Sequence, residues 1–312
     1  MLNIDLSIVV PVFNEEENIE PFLSRMISSL SALNISYEII FCLDPSTDNT
    51  YGVIKGYTSV NKQIKLISFS RRFGQPAATM AGINFSKGEY CVVIDVDLQD
   101  QPELVPVLYN KALEGFDVVY AKRRSRAGET IVKKIIAYLG YQVINRMSDI
   151  SIPTNTGDFR ILSRRVVDSI LLLKESNAFL RGYVAYVGFK QTYVEYDRDP
   201  RFIGPGNYNR YFGSIKIGLN GLISFSRKPL QIMSVLGFSM ACISFIIAIF
   251  YFINHLLGYN YPLGLTTIVL VVTFFSGIQL LALGLLGEYI GRIYDDVKGR
   301  PLYIVDEVIN IN

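Results

Sequence analysis

Acidic side chains follow directly after an apolar segment in the first third of the chain. Residues 90–94 are typical of a buried strand, and Asp95, Asp97, Gln99 and Asp100 come next. In an extended chain Asp95 and Asp97 lie on the same side, so both carboxylates can bind one oxygen-preferring cation such as Mg²⁺ or Mn²⁺. A cation bound in this way commonly contacts phosphate groups as well. A solvated acidic turn can have the same spacing, so the segment alone indicates only a candidate metal site.

Two further polar loops follow the first two predicted strands. Residues 11–17 read Pro-Val-Phe-Asn-Glu-Glu-Glu, and residues 44–50 read Asp-Pro-Ser-Thr-Asp-Asn-Thr. The carboxyl ends of parallel strands meet at one edge of a sheet, where α/β proteins bind their ligands. Carboxylates at that edge can accept hydrogen bonds from ribose hydroxyls and base N–H groups. Each loop alone could be a turn or a helix cap, but the three loops together predict a nucleoside followed by a metal-bound diphosphate.

Composition excludes several classes of function. The 312 residues carry a formal net charge of +2, which gives no indication of nucleic acid binding. His255 is the single histidine and lies between two apolar segments, which excludes Ser-His-Asp, Cys-His and histidine-ligated metal chemistry. Cys42, Cys91 and Cys242 have no paired spacing, so neither a disulfide framework nor a structural zinc site is indicated. Any catalysis must use carboxylates, cationic side chains or a metal.

The first 121 residues alternate between short apolar segments and helical patterns. The predicted strands and helices, in chain order, are 7–13, 16–33, 37–42, 47–58, 64–69, 75–85, 90–95, 103–113 and 118–121. Continuous Val and Ile segments joined by crossovers of this length predict an α/β fold with a mainly parallel, Rossmann-like sheet and helices on both faces.

The last hundred residues have the pattern of a membrane-associated segment. Residues 208–225 have apolar side chains at helical spacing and polar ones elsewhere, as in an amphipathic helix at a membrane interface. No Asp, Glu, Lys or Arg occurs from 229 to 287. Within that stretch the apolar segments 232–253 and 263–286 each exceed the ~20 residues needed to cross a bilayer, which predicts a two-helix transmembrane hairpin.

Basic residues flank this hairpin on both sides. Arg227 and Lys228 precede it, and Arg292, Lys298 and Arg300 follow it. The positive-inside rule therefore predicts a multi-pass protein of the inner (plasma) membrane with the N-terminal domain and both termini in the cytoplasm.

The chain resembles the family 2 glycosyltransferases of the GT-A fold. More narrowly it resembles the polyprenyl-phosphate glycosyltransferases, which include dolichol-phosphate mannose synthases and bactoprenol glucosyltransferases. The similarity covers essentially the full length and rests on segments 11–16, 44–50, 70–74, 95–99, 157–160, 287–294 and 298–301. The tail after the hairpin favours the bactoprenol glucosyltransferase branch. The resemblance implies a GT-A domain over 1–207, an interfacial segment over 208–228, two membrane helices over 229–287 and a cytosolic tail over 288–312.

Roles for individual residues follow from the resemblance, position by position. The residues implied around the nucleotide sugar are Pro11, Phe13, Glu15, Asp44, Arg71 and Asp95, and those implied at the metal are Asp95, Asp97 and Gln99. Asp97 and Asp158 are implied as catalytic residues, Asp158 near the transferred sugar or the acceptor. The resemblance implies that Arg124 and Arg201 bind phosphate. The basic stretch 122–134 predicts the same role for Arg123 and Arg126, although it could also be a solvated helix face.

These implications combine into one predicted reaction. We expect a single hexose, glucose from UDP-glucose, to pass with inversion to undecaprenyl phosphate at the cytoplasmic membrane face. Donors such as GDP-mannose or UDP-aminoarabinose are alternatives, as is a non-enzymatic nucleotide-sensing membrane subunit, and a homo-oligomer is left open. The chain has no Trp, so it lacks the Gln-x-x-Arg-Trp element of processive synthases. A lipid phosphate is already an anionic nucleophile at neutral pH, so Asp158 is predicted to orient a substrate rather than to abstract a proton.

Overall fold

Residues 4–123 fold as alternating strands and helices around a parallel sheet. The computed structural model describes residues 4–124, 153, 156–175, 179–199, 223, 226–257 and 264–311. The elements of the first part are β1 (Leu6–Val12), α1 (Glu16–Ser31), β2 (Tyr37–Leu43), α2 (Thr50–Val60), β3 (Ile64–Phe69), α3 (Gln75–Phe85), β4 (Tyr90–Val93), a 3-10 turn (Pro102–Leu104), α4 (Val105–Leu113) and β5 (Val118–Arg123). The alternation predicted from the sequence is confirmed, with element ends shifted by a few residues.

Eight strands pair into one sheet within the described residues, in the order β7-β5-β6-β4-β1-β2-β3-β8. The neighbours β3, β2, β1 and β4 are all parallel, as predicted. Antiparallel pairing enters where β6 (Thr156–Ser163) lies between β4 and β5. A parallel strand, β7 (Gln191–Tyr196), pairs with the far side of β5. The sheet is therefore mixed, with a parallel centre that gathers several loops at one edge.

Apolar side chains on both faces of the sheet hold the helices in place. Every residue of β1 is buried, as expected for a central strand covered on both sides. On α1, Ile19, Phe22, Met26 and Leu30 recur at three- and four-residue intervals and are all buried in one core cluster. The other face is covered by α3 together with α5 (Arg164–Leu171) and α6 (Leu180–Val187). Burial of both faces makes the strand ends rigid supports for the loops that follow them.

Two long helices follow the sheet domain. These are α7 (Lys228–Leu256) and α8 (Leu265–Lys298), and both are long and apolar enough to cross a membrane. Their apolar side chains are exposed in the isolated chain; Phe238, for example, is 74% exposed. At ~1.5 Å per residue, α8 is about 51 Å long, whereas the hydrocarbon core of a bilayer is ~30 Å thick. The end of α8 must therefore project well beyond any membrane that it crosses.

The residues after α8 return to the sheet. The helix ends at Lys298 and is capped by Gly299, whose φ of 57° suits a glycine in the left-handed region. The strand β8 (Val305–Ile309) then pairs antiparallel with the edge strand β3. The sequence pattern indicated only a tail here. The amphipathic segment predicted over 208–225 lies outside the described residues, except for position 223.

Candidate active site

The Asp95–Asp97 segment lies on a turn rather than on a strand. The predicted strand 90–95 ends at Val93, so the alternation of an extended chain does not place these two carboxylates on one side. Instead the chain turns sharply, with Leu98 at a φ of 58°, and the Oδ1 of Asp97 accepts a hydrogen bond from the Gln99 amide at 3.2 Å. Asp97 is buried and the Gln99 side chain is half-buried. Both aspartates are therefore at the edge of the sheet, as predicted, but a turn positions them there rather than an extended strand.

Several carboxylates crowd around Asp95. Its Oδ1 accepts a hydrogen bond from the Gln75 amide group at 2.8 Å. Burial, together with the nearby carboxylates of Asp100, Asp97 and Asp158, raises the pKa of Asp95 to about 8. A site with this excess of negative charge and oxygen donors fits a hard divalent cation.

No set of three or more His, Cys, Asp or Glu side chains in the described part of the chain has the arrangement of a metal site by itself. A cation at Asp95 and Asp97 would therefore need further oxygen ligands from a substrate or from water. This is the usual arrangement for Mg²⁺ at nucleotide sites, where one or two carboxylates combine with phosphate oxygens. The residues present thus fit a cation that binds together with a diphosphate.

The pairing of β4 with β6 explains how Asp158 reaches this cluster. Val93 is opposite Arg160 in the antiparallel ladder. Asp95 follows Val93 by two residues and Asp158 precedes Arg160 by two, and the charge of Asp158 contributes to the raised pKa of Asp95. The two side chains are therefore neighbours at the sheet edge, although they are more than sixty positions apart in sequence.

Arginines surround Asp158 and hold it ionised. Arg181, on α6, donates from Nε to Oδ1 at 2.9 Å and from Nη2 to Oδ2 at 3.3 Å. Arg160 is completely buried, and its Nη2 lies 3.4 Å from Oδ1. Burial alone would raise the pKa of Asp158, but the charges of Arg181, Arg160 and Arg123 and the Arg181 hydrogen bonds outweigh it and lower the pKa to about 2. The carboxylate is thus a fixed anion rather than a proton acceptor at neutral pH.

A second carboxylate–arginine group lies beside the first. Asp100 is buried and accepts hydrogen bonds from the Tyr196 hydroxyl and, at 3.0 Å, from Nε of Arg198. Nη2 of Arg123 lies 4.0 Å from Oδ1 of Asp100. Since Arg123 also lowers the pKa of Asp158, its guanidinium lies near both carboxylates at the site.

Asp44 holds the backbone of the loop formed by residues 70–74. Its two carboxylate oxygens accept hydrogen bonds from the amides of Phe73 at 2.9 Å and Gly74 at 2.8 Å. Gly74 has a φ of 90°, a conformation that other residues rarely adopt. The exposed Arg71 guanidinium lies 4.0 Å from the centre of the Phe73 ring. Asp44 thus shapes this loop, and its predicted contact with the nucleoside stays a prediction.

The first loop lies next to this one. Pro11 is buried in β1, while Phe13 is half-buried beyond the strand end. The guanidinium of Arg72 stacks on the Phe13 ring at 3.8 Å. Glu15 accepts a hydrogen bond from the Asn18 side chain at 2.6 Å. An arginine stacked on an aromatic ring thus joins the loops after β1 and β3.

Of the predicted phosphate-binding arginines, only two lie in the described part of the chain. Arg123 is near the acidic cluster, as described above. Arg124 is exposed and lies 3.3 Å from the Asp197 carboxylate. Arg126 and Arg201 fall outside the described residues.

Gln75, Arg181, Tyr196 and Arg198 contact the acidic groups of this site but were not found from the sequence. Gln75 follows the quoted segment 70–74 directly, so its position next to a motif was the available indication. Arg181 and Arg198 lie in segments without any recognisable motif. Only the folded sheet shows that they meet Asp158 and Asp100.

Several known proteins are similar in sequence to this chain. The family model described as "Glycosyl transferase family 2" matches residues 7–171. An uncharacterized glycosyltransferase of Synechocystis sp. is 44% identical over 308 residues, which cover 98% of this chain and 96% of that protein. The SfII prophage-derived bactoprenol glucosyl transferase of Shigella flexneri is 38% identical over 300 residues, covering 96% and 97%.

Solved structures also resemble the chain. Mannosyl-3-phosphoglycerate synthase from Rubrobacter xylanophilus has a TM-score of 0.48 at 15% identity, covering 70% of this chain and 72% of that one. Glucosyl-3-phosphoglycerate synthase from Mycobacterium tuberculosis, crystallised with Mn²⁺, UDP and phosphoglyceric acid, has a TM-score of 0.46 at 21% identity, covering 70% and 76%.

Proposed function

Because the chain belongs to glycosyl transferase family 2, we propose that it transfers one glucose from UDP-glucose to undecaprenyl phosphate at the cytoplasmic face of the membrane. The observation that carries this proposal is the 38% identity to a bactoprenol glucosyl transferase over nearly the whole of both chains. That match includes the two long apolar helices as well as the sheet domain. Membership of an enzyme family sets aside the non-enzymatic alternative.

A divalent cation, Mg²⁺ or Mn²⁺, would be held by Asp95 and Asp97 with Gln99 close by. The raised pKa of Asp95 supports this assignment, since desolvated carboxylates crowded together favour a nearby positive charge. Such a cation would stabilise the negative charge that develops on the departing diphosphate. The loops with Phe13, Asp44 and Arg71 would surround the nucleoside and diphosphate of the donor.

The acceptor needs no strong base. A phosphate monoester has a second pKa near ~6, so its oxygen is anionic at neutral pH and can attack the anomeric carbon directly. In-line attack would invert the configuration and convert an α-linked donor into a β-linked lipid phosphosugar. A carboxylate held as an anion by Arg181, with a pKa of about 2, is well suited to accept hydrogen bonds from sugar hydroxyls. Asp158 is therefore proposed to orient the transferred sugar or the acceptor.

Arg123 is the described arginine best placed to meet the acceptor phosphate. Its side chain is 27% exposed, and its guanidinium lies near both Asp100 and Asp158. Guanidinium groups match phosphate oxygens bidentately. Arg124, Arg126 and Arg201 remain proposed as further phosphate ligands. With both basic flanks of the hairpin in the cytoplasm, the domain would meet the lipid phosphate at the inner membrane surface.

Incubation of membranes with labelled nucleotide sugars tests the proposal directly. Membranes containing the protein and undecaprenyl phosphate are given UDP-glucose, GDP-mannose or UDP-aminoarabinose, and label entering the lipid phase is measured. We expect label from UDP-glucose, with membranes containing the Asp97→Asn variant as the matched control. Label from a different donor would show that the transferred sugar is not glucose. The absence of label from every donor would contradict the proposed reaction.

A further inference from the structure

The segment after α8 packs against the loop that would hold the donor. We call residues 301–311 the strap and residues 70–74 the donor loop, a name that rests on the proposed function. The strap contains β8, which extends the sheet beyond β3. Because β3 ends at Phe69, the donor loop begins where the strap and the sheet meet.

Two contacts join the strap to this end of the sheet. The Ser70 amide, the first of the donor loop, donates a hydrogen bond to the Ile304 carbonyl at 3.0 Å. The Tyr303 ring packs against the Phe69 ring with centroids 5.7 Å apart. Phe69 in turn makes an edge contact with Phe73 of the donor loop at 6.2 Å. The strap therefore supports the loop through one backbone hydrogen bond and a row of three aromatic rings.

Other contacts hold the strap itself in register. The Tyr303 hydroxyl accepts a hydrogen bond from the Asn84 side chain, at the end of α3, at 2.9 Å. At the far end, the Asn310 side chain donates to the carbonyls of Thr58 at 2.7 Å and Ile64 at 2.9 Å. These contacts fix both ends of the strap on the sheet domain, so it cannot slide along β3 without breaking them.

The donor loop is held on its other side by groups of the candidate active site. Asp44 binds the amides of Phe73 and Gly74, and Gln75 comes next and binds Asp95. A shift of the loop would therefore move both the nucleoside side and the metal side of the site. Small displacements of positioning groups can cost large factors in activity.

We propose that the strap is a positioning element for the nucleoside diphosphate of the donor. Tyr303 and the Ile304 carbonyl set the conformation of the donor loop, although neither touches the substrate in this assignment. The strap follows α8 after a few residues, so the same segment joins a candidate membrane helix to the donor loop. The proposal predicts that loss of the Tyr303 ring weakens nucleotide binding and leaves binding of the lipid unchanged.

A pair of variants at Tyr303 separates ring packing from hydrogen bonding. Tyr303→Ala removes the ring, whereas Tyr303→Phe keeps it and removes only the hydroxyl. Tyr51→Phe is the remote control, because the Tyr51 hydroxyl donates to Glu307 of the strap at 2.6 Å, away from the donor loop. All variants are made in the full chain, and thermal unfolding in detergent is used to show that each one is folded.

The Kd for UDP and the Kd for GDP are measured by calorimetry with Mn²⁺ present. The KM for the nucleotide sugar and the KM for undecaprenyl phosphate are then measured for each variant. For Tyr303→Ala we expect Kd and the donor KM to rise roughly fivefold to tenfold, the scale of one lost aromatic contact. The lipid KM should stay within about twofold, as should every constant of Tyr303→Phe and Tyr51→Phe.

Unchanged nucleotide binding in a folded Tyr303→Ala protein would overturn the proposal. Equal increases in the KM for the donor and the KM for the lipid would also overturn it, because they would indicate a general loss of structure rather than an effect on the donor loop. These outcomes differ from failure of the proposed function. A wild-type protein that binds nucleotide but labels no lipid would contradict the reaction, while the Kd comparison would still decide the role of the strap.

Discussion

Asp95 and Asp158 lie close enough for their charges to interact, yet their carboxyl groups have opposite surroundings. Burial and the nearby carboxylates of Asp100, Asp97 and Asp158 raise the pKa of Asp95 to about 8, and its hydrogen bond comes from the neutral side-chain amide of Gln75. Asp158 is bound by Arg181 and Arg160, which lower its pKa to about 2 despite burial. The same residue type therefore has two different roles. Asp95 is at a site that favours a bound cation, whereas Asp158 stays ionised beside its arginines.

The largest expected effect is on the cation side. Asp97→Asn keeps the size of the side chain but removes a charge from the proposed metal site, so transfer should fall roughly 100-fold or more. Label entering the lipid phase measures this, and membrane insertion and thermal unfolding should remain close to wild type. Full activity in this variant, or activity that is indifferent to EDTA, would show that the metal assignment is wrong.

Replacement of Asp158 should have a smaller effect. Asp158→Asn keeps the shape but loses a fixed anion that orients the sugar, so kcat should fall about 10-fold to 100-fold. The residual rate should rise between pH 5 and 7 with ionisation of the lipid phosphate, whose second pKa is near ~6. Initial rates across that range test this. If the variant were inactive at every pH, Asp158 would instead be a required base.

Removal of the partner of Asp158 should act in the same direction but more weakly. Arg181→Gln leaves Asp158 with Arg160 and Arg123, so its pKa should rise and its orientation should loosen, lowering kcat about tenfold. Arg165→Gln is the matched control, because Arg165 pairs with Asp117 rather than with Asp158. Equal losses in the two variants would show that the effect is on folding rather than on the site.

The smallest effect concerns stability and pH. Because the folded pKa of Asp95 is raised, folding binds a proton there, and stability should fall as pH rises from about 4 to about 8. Asp158 has a lowered pKa, so its contribution is present above pH ~4 and is lost only toward pH 2. In EDTA, the loss of Tm between pH 5 and 8 should be smaller for Asp95→Asn than for wild type. Identical pH profiles would contradict the assigned environment of Asp95.

Much of the parallel part of the fold could be predicted from the sequence. The Val- and Ile-rich segments of β1 to β4 are buried on both faces, so their own composition is enough to identify them as central strands. The acidic and polar residues that follow these strands must meet at one edge, because parallel strands end on the same side. Residue type and position alone placed Asp44, Asp95 and Asp97 at this edge. The helices α7 and α8 could likewise be predicted from their own apolar residues, without knowledge of their neighbours.

The remainder depended on contacts between distant parts of the chain. Asp158 lies beside Asp95 only because β6 pairs antiparallel with β4, and Arg181 reaches Asp158 from a helix 23 residues later. A strand's partner and register are set by packing with residues that its own sequence does not specify. The same holds for β8, whose short alternating segment has no meaning until β3 offers it an edge. The sequence by itself therefore identified the acidic residues of the candidate site. Tertiary structure decided the charge states of Asp95 and Asp158, because a pKa depends on which groups lie nearby.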